Sequence, residues 1–330
     1  MQRLWSVQRL IVTIVLTLVL AASNRAAAQT VARVADSNPQ TIRLDAPPTV
    51  VGPGVISTPA EEFKATVSPD GATLLFVVTD HQFRHMTIVE SHRGSGDWER
   101  PEVATFSGVW RDGDPSFGPD GKEVVFISNR PYPNDMTQAP RQNFNIWHVG
   151  RRPDGTWTAP EPYGREINAD SNTFAPSLTA TGVLYYNRGN VIFRAEPYGD
   201  HFRPPQQLSI HGSDPSISPD ERFIVFDDTP AGQDHSSLFL SCRMPDGWTR
   251  PARFAEPVSS QANDGDPSVS PDGHSLYFYS QRYAPEPNRA PRPHRATYGE
   301  VQGEALSDIY NGSRNLYEVD LTSFDCDNVR

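Results

Sequence analysis

The nineteen residues DGDPSFGPDGKEVVFISNR at 112–130 return as DGDPSVSPDGHSLYFYSQR at 264–282, with eleven positions identical and no gap. Shorter copies follow the same grammar: FKATVSPDG at 63–71 before LLFVV, DPSISPD at 214–220 before FIVF, and a degraded APSLTATG at 175–182 before VLYY. The aligned positions Ser68, Gly118, Thr179, Ser218 and Ser270 stand 50, 61, 39 and 52 residues apart. A period near fifty with short apolar runs is the mark of a stacked or radial β-repeat. The 31 Pro and 23 Gly agree, since they punctuate many turns and short strands.

One unit can be built from its residues. In Pro-Asp-Gly, Pro presets φ, Asp bonds nearby backbone and Gly takes the left-handed position, so the phrase is a tight turn between two strands. A third strand such as 145–149 follows a variable loop. A second hairpin then leads to a fourth strand marked by aromatic-x-x-Pro, at Trp98, Trp157, Phe202 and Trp248. Such a blade is apolar on both faces and needs neighbours to bury them, which predicts an all-β β-propeller of four-stranded antiparallel blades. Five copies predict five blades; a sixth, unrecognised blade is the alternative. The fifth copy has no aromatic-x-x-Pro of its own. The segment 48–57 resembles the one after Pro251, so the N-terminal strand is expected to complete the last blade and close the ring.

The SPDG turns, LYF-like second strands, NIW third strand and W-x-x-P segments resemble the PD40, or WD40-like, repeats of TolB-like β-propellers. The resemblance covers roughly residues 48–320 and implies the fold more than an activity, because its motif residues are turn and packing residues. It departs from TolB itself, which has an α/β domain before its propeller; here about twenty residues separate the expected signal peptide from the first recognisable strand. It also departs from relatives that end in an OmpA-like domain.

Ahead of the repeats, Arg3 and Arg9 precede the apolar run 10–22, and Ala26-Ala27-Ala28 offers a cleavage site before Gln29. Residues 1–28 therefore read as a secretory signal peptide, 29–47 as a linker and 48–330 as the propeller domain. The run of roughly 13 residues is short for a membrane span of about 20. A periplasmic or secreted location follows, with no transmembrane segment after cleavage. Cleavage removes Arg3, Arg9 and Arg25, taking the net charge from −11 to −14. That acidity excludes a nucleic-acid footprint. In an oxidising compartment Cys242 and Cys326 either pair or stay as two unrelated thiols.

Candidate chemistry gathers at one mouth of the channel. Four residues before each aligned position stand Lys64, Asp114, Ala175, Asp214 and Asp266; two earlier stand Glu62, Asp112, Thr173, Gly212 and Asp264. Converging carboxylates suit a polar ligand or a divalent cation such as Ca²⁺; otherwise these acids bond backbone N–H groups in neighbouring loops. No other cofactor is indicated. Arg130, Arg188 and Arg282 end three second strands at positions that look equivalent, as an anion clamp or as structural ion pairs. His81 and His85 have HxxxH spacing in a loop too short to read as helical. Long Pro-rich loops at 130–143 and 282–308, the second with Arg289, Arg292, His294 and Arg295, are binding loops or insertions. No GxSxG elbow, P-loop or dinucleotide fingerprint occurs. The first functional reading is a monomeric, non-enzymatic propeller binding an envelope protein or glycan. The second is a polysaccharide lyase or glycoside hydrolase using the mouth carboxylates, since propellers of this type also occur in oligogalacturonate-lyase-type enzymes.

Overall fold

A computed structural model describes residues 41–329 except 95, 137, 169–171 and 284–291. The signal peptide, most of the linker and Arg289 lie outside the described residues.

Each copy of the repeat folds into one antiparallel blade, and five blades make a β-propeller. Blade 1 runs Glu61–Val67, Thr73–Thr79, Thr87–His92, Glu102–Val103 from channel to rim. Blade 2 runs Asp112–Phe117, Glu123–Ser128, Asn145–Gly150, Glu161–Pro162. Blade 3 runs Phe174–Leu178, Leu184–Arg188, Val191–Ala195, Gln206–His211. Blade 4 runs Ser213–Ile217, Phe223–Asp228, Ser237–Met244, Ala252–Phe254. Blade 5 takes Asp264–Val269, Ser275–Ser280 and Asn315–Asp320 from the C-terminal part of the chain. Its outer strand is Thr49–Val50, paired antiparallel with Tyr317 and Glu318. The N-terminal closing strand is thus where the sequence places it. Upstream, Thr41–Ile42 adds a parallel strand outside Ala252–Phe254.

The recurring phrase performs three structural tasks. In the turn, the Ser68 hydroxyl donates to Asp70 Oδ1 and accepts from the Thr73 N–H, while Asp70 accepts from the Ala72 N–H. Ser218 with Asp220, and Ser270 with Asp272, repeat this arrangement. In the inner strand the ladder slips between Phe63 and Thr66, and at the same point in every blade. The bulged residues Lys64, Asp114, Ala175, Asp214 and Asp266 all have φ of 47–51°. A bulge there bends the strand and re-aims one side chain. Between blades, Thr66, Ser177 and Ser216 accept N–H bonds from Phe117, Ile217 and Val269 of the next inner strand. A row of second-strand aromatics, Phe76, Phe126, Tyr186, Phe226 and Phe278, is at most 1% exposed and fills the space between blades. Burying such rings drives the stacking.

Two details differ from the sequence reading. The aromatic-x-x-Pro residues belong to the hairpin turn: Trp98, Trp157 and Trp248 pair with the end of strand three, and the outer strand starts after the Pro. Pro lacks a donor, so the ladder resumes beyond it. Arg188 is not equivalent to Arg130 and Arg282. It occupies the register position of Ser128 and Ser280, because blade 3 turns immediately at Gly189-Asn190 where blades 2 and 5 carry long loops. Cys242 and Cys326 are disulfide-bonded, pinning the C-terminal segment to blade 4.

Candidate functional site

The two acids of Asp-Gly-Asp lie two residues apart and have different surroundings. Asp112 is fully buried and pairs with Arg130 at 2.7 Å; Asp264 does the same with Arg282 at 3.1 Å. Each guanidinium lies against strand-two and strand-three aromatics, Phe126 and Trp147 or Phe278 and Tyr317. It also donates to carbonyls of the preceding linker, at Phe106 or at Pro257 and Val258. Arg188 reaches the matching aromatics, Tyr186 and Phe193, and donates to the Ile167 carbonyl. These three arginines stay within their own blades and do not converge.

The central Gly is required by close approach. A Cβ on Gly113 would stand 2.4 Å from the Met86 methyl, and one on Gly265 would stand 2.9 Å from the Tyr279 ring. Both neighbours line the same cavity as the second acids.

That cavity, of about 360 Å³, opens at the channel mouth. Its acids are Asp114, Asp214 and Asp266, brought from blades 2, 4 and 5 by the common bulge. Its aromatic lining comes from Phe63 and Phe83, Phe144 and Phe174, and Tyr279. The first two pairs have ring centroids 5.5 and 5.8 Å apart. Arg111 and Arg314 complete the wall. Arg111 lies 4.7 Å over Phe144 and donates to the Phe83 carbonyl at 2.6 Å; Arg314 pairs with Glu61 at 2.8 Å. The Nε of each arginine is buried without an acceptor among the described residues, leaving one unused donor on each guanidinium in the cavity wall.

Lys64 is buried beneath the acids and donates to the Pro267 carbonyl at 2.9 Å, bridging blades 1 and 5. Asp114 accepts the Ala175 N–H at 2.9 Å, and Asp227 accepts the Asp266 N–H at 3.2 Å, so two acids also tie adjacent blades. Burial is the main influence on every acid here, and it raises them. Asp214 is pushed up to about 6 by burial and then by the Asp114 charge, against the pull of Lys64. Burial and the Asp214 and Asp114 charges hold Asp266 well above the carboxylate range. Burial with Asp214 and Asp266 does the same to Asp227, and burial raises Asp114 despite Lys64. Burial of this kind favours the protonated form, which can donate as well as accept hydrogen bonds.

The other candidates lie apart. Glu62 accepts from Thr58 Oγ1 and N–H, and burial pushes it up to about 7. His81 faces Glu61 while His85 lines a different cavity, so the two do not form a pair. Arg292 and His294 face Glu304 and Glu300 of a ten-residue helix, Tyr298–Ser307, within the long loop. Among the described residues no group of three or more His, Cys, Asp or Glu is placed to hold a metal ion. No helix among them is long and apolar enough to cross a membrane.

Sequence reasoning missed Asp227, Arg111, Arg314 and the aromatic wall. Asp227 had a signal: its register row carries Val77, Ile127, Asn187 and Tyr279 in the other blades, and Asp is foreign to such a strand interior. Phe63, Phe174 and Tyr279 sit in the repeat strands themselves, while Phe83, Arg111, Phe144 and Arg314 sit on linkers and loops outside them.

No family model matches the chain, and no curated protein does. Solved structures do. TolB from Acinetobacter baumannii aligns over 70% of this chain and 50% of its own, at 18% identity and TM-score 0.44. The chain therefore spans about half the length of that protein. A structure described for the GH130 family of mannoside phosphorylases, containing glycoside hydrolases that target β-1,2-mannosidic linkages in Candida mannan, aligns over 85% and 96%. Its identity is 11% and its TM-score 0.50. An α-L-arabinofuranosidase from Lactobacillus brevis aligns over 84% and 94%, at 14% identity and TM-score 0.48. At these identities the likeness is one of fold. What the chain shares with the first two is similarity; what it is established to be is a five-bladed β-propeller.

Proposed function

We propose that this chain is a periplasmic or secreted propeller of the TolB-like, PD40-repeat type that binds a glycan at the channel mouth. One observation carries the reading: a single cavity combines aromatic walls with an acidic floor. Sugar rings present C–H faces that pack on aromatics, and hydroxyls that bond to carboxyl groups; ligand sites generally join apolar walls with a few convergent polar groups. The signal-like N-terminus and the Cys242–Cys326 bond support the compartment. Calorimetric titration of the mature protein against envelope-derived and plant-type oligosaccharides tests the reading. Phe83→Ala and Asp214→Asn are expected to weaken binding tenfold or more without moving the melting point by more than a few degrees, since Phe83 is only partly buried. Binding that survives both variants, or no binding to any saccharide, would sink it.

A second reading, glycoside hydrolysis, is favoured by one feature. Asp214 and Asp266 line one cavity, and burial with neighbouring charge raises both, Asp214 to about 6. Hydrolysis by paired carboxyl groups uses one member as the acid and the other as base or nucleophile, so a raised carboxyl beside a second one suits it. Release of new reducing ends, lost in Asp266→Asn, would move the assignment from binding to catalysis.

A further inference from the structure

A second cavity, of about 340 Å³, adjoins the first on the same face, between blades 1 and 2. Met86 and Arg111 line both. Arg111 is fixed between them: its backbone N–H donates to Asn129 Oδ1 at 2.9 Å and its guanidinium to the Phe83 carbonyl. The outer cavity adds Trp110, Val109, His85 and Pro140. Val109 is 81% exposed, and Trp110 is half-buried beside it on the linker between the blades. An apolar side chain so exposed next to an indole gains nothing for the fold. Together they make a platform of the kind on which a flat, partly apolar ring settles.

Each cavity taken singly lies near the lower end of the roughly 300–1,000 Å³ usual for ligand sites. Joined across Met86 and Arg111, they form one groove with unequal ends. The inner end stops at Asp114 and Lys64, which are 4% and 2% exposed, so a chain cannot thread onward there. The outer end opens past Val109.

We infer that the ligand is an oligosaccharide held by one end, its terminal unit on the channel acids and the following units running out over Trp110. This rests on the glycan reading above and adds chain length and direction to it. The Arg111 side chain then lies beside the linkage between the first and second units, with its unaccepted Nε as a donor to the bridging region.

The test is titration of the mature protein with a mono-, di- and tetrasaccharide series of whichever hexose or pentose binds, with Trp110→Ala and Val109→Glu alongside wild type. The expected result is affinity rising at least tenfold from mono- to tetrasaccharide. Either variant should lower tetrasaccharide affinity to the monosaccharide level and leave monosaccharide binding unchanged. Val109→Glu guards against a folding artefact, since its side chain is largely in solvent. Blocking one end of the tetrasaccharide should abolish binding, and blocking the other should not. Monosaccharide binding with no gain from chain length, or variants that bind the tetrasaccharide like wild type, overturns the outer subsite alone. Tolerance of both blocked ends overturns end recognition. A wild-type protein that binds no saccharide overturns the glycan reading and this one together; capture of a protein by a wild-type but not a Val109→Glu surface would then assign the platform to a protein partner.

Discussion

Blades 2 and 3 stand side by side and carry the best and the worst copy of one phrase. Blade 2 has Asp114 at the bulge with φ 49°, and blade 3 has Ala175 there with φ 47°. Asp tolerates the left-handed region better than most residues, which would explain the acid as a backbone requirement. Ala175, and Lys64 at φ 50° in blade 1, argue otherwise: the slip in pairing imposes the conformation whatever the side chain. Farther out, Asp112 locks Arg130 in blade 2, while in blade 3 Thr173 bonds the Phe144 carbonyl and Arg188 has no carboxylate partner among the described residues. Ser177 keeps its bond to the next blade. The phrase therefore separates into a bulge and hydroxyl that every blade keeps, an ion pair that some blades need, and a channel acid that the ring does not need.

Removing each acid of blade 2 in turn separates the two roles. Asp112→Ala leaves the Arg130 guanidinium buried without its counter-ion, and breaking a buried pair costs about 3–5 kcal/mol. Asp114→Ala deletes one hydrogen bond to Ala175 from an acid that burial already disfavours as an anion, a loss of about 1 kcal/mol or less. Urea midpoints measure both. Equal losses would mean the channel acid is as structural as its neighbour.

A second, smaller effect is a stability that falls with alkalinity. The folded-state values of Asp214, Asp266, Asp227 and Asp114 are raised above those of an unfolded chain. The folded state therefore holds extra protons above about pH 4. The stability this contributes is complete below the unfolded value and is lost progressively until the folded value is passed, at about 6 for Asp214. Glu62, raised to about 7, acts in the same direction. Stability is expected to decline between pH 5 and pH 8, Asp214 and Glu62 each contributing about 1.4 kcal/mol per pH unit until its own folded value is passed. Asp214→Asn with Asp266→Asn should make the decline shallower and leave the part due to Glu62. A slope unchanged by the double variant would place the titrating groups outside the channel.

The repeat made the blade count, the turn chemistry and the closing strand legible, because each rests on local residues that must recur wherever the same backbone recurs. It also placed Asp114, Asp214 and Asp266 at one mouth, since a bulge at a fixed register aims the same position at the axis each time. The parts left unread come from places the repeat does not govern. Phe83, Arg111 and Phe144 belong to linkers and loops, and only the folded chain shows that three such segments meet over the channel. Arg188 misled because short-range identity, Asn-Arg after a strand, does not report how many residues the strand spends before its turn. Asp112 and Asp114 show the reverse limit: residues two apart share a strand face, yet the bulge between their ladder pairs separates them into sealed and channel-facing sites.

The finest form of the comparison restores to blade 3 what it lacks. Ala175→Asp puts a carboxyl at φ 47°, a conformation Asp accepts readily, so the bulge itself should absorb the change. The new group would stand between Asp114 and Asp214 in the ring order, and its anion would repel both. Protonated, it adds little cost; ionised, it adds charge to a site where Lys64 is already shared. The variant should therefore match wild type at pH 5 and lose roughly 1 kcal/mol by pH 8, with a steeper decline between. Chemical denaturation at the two pH values reads this directly. A loss of the same size at both would mean that space, and not charge, keeps an acid out of blade 3.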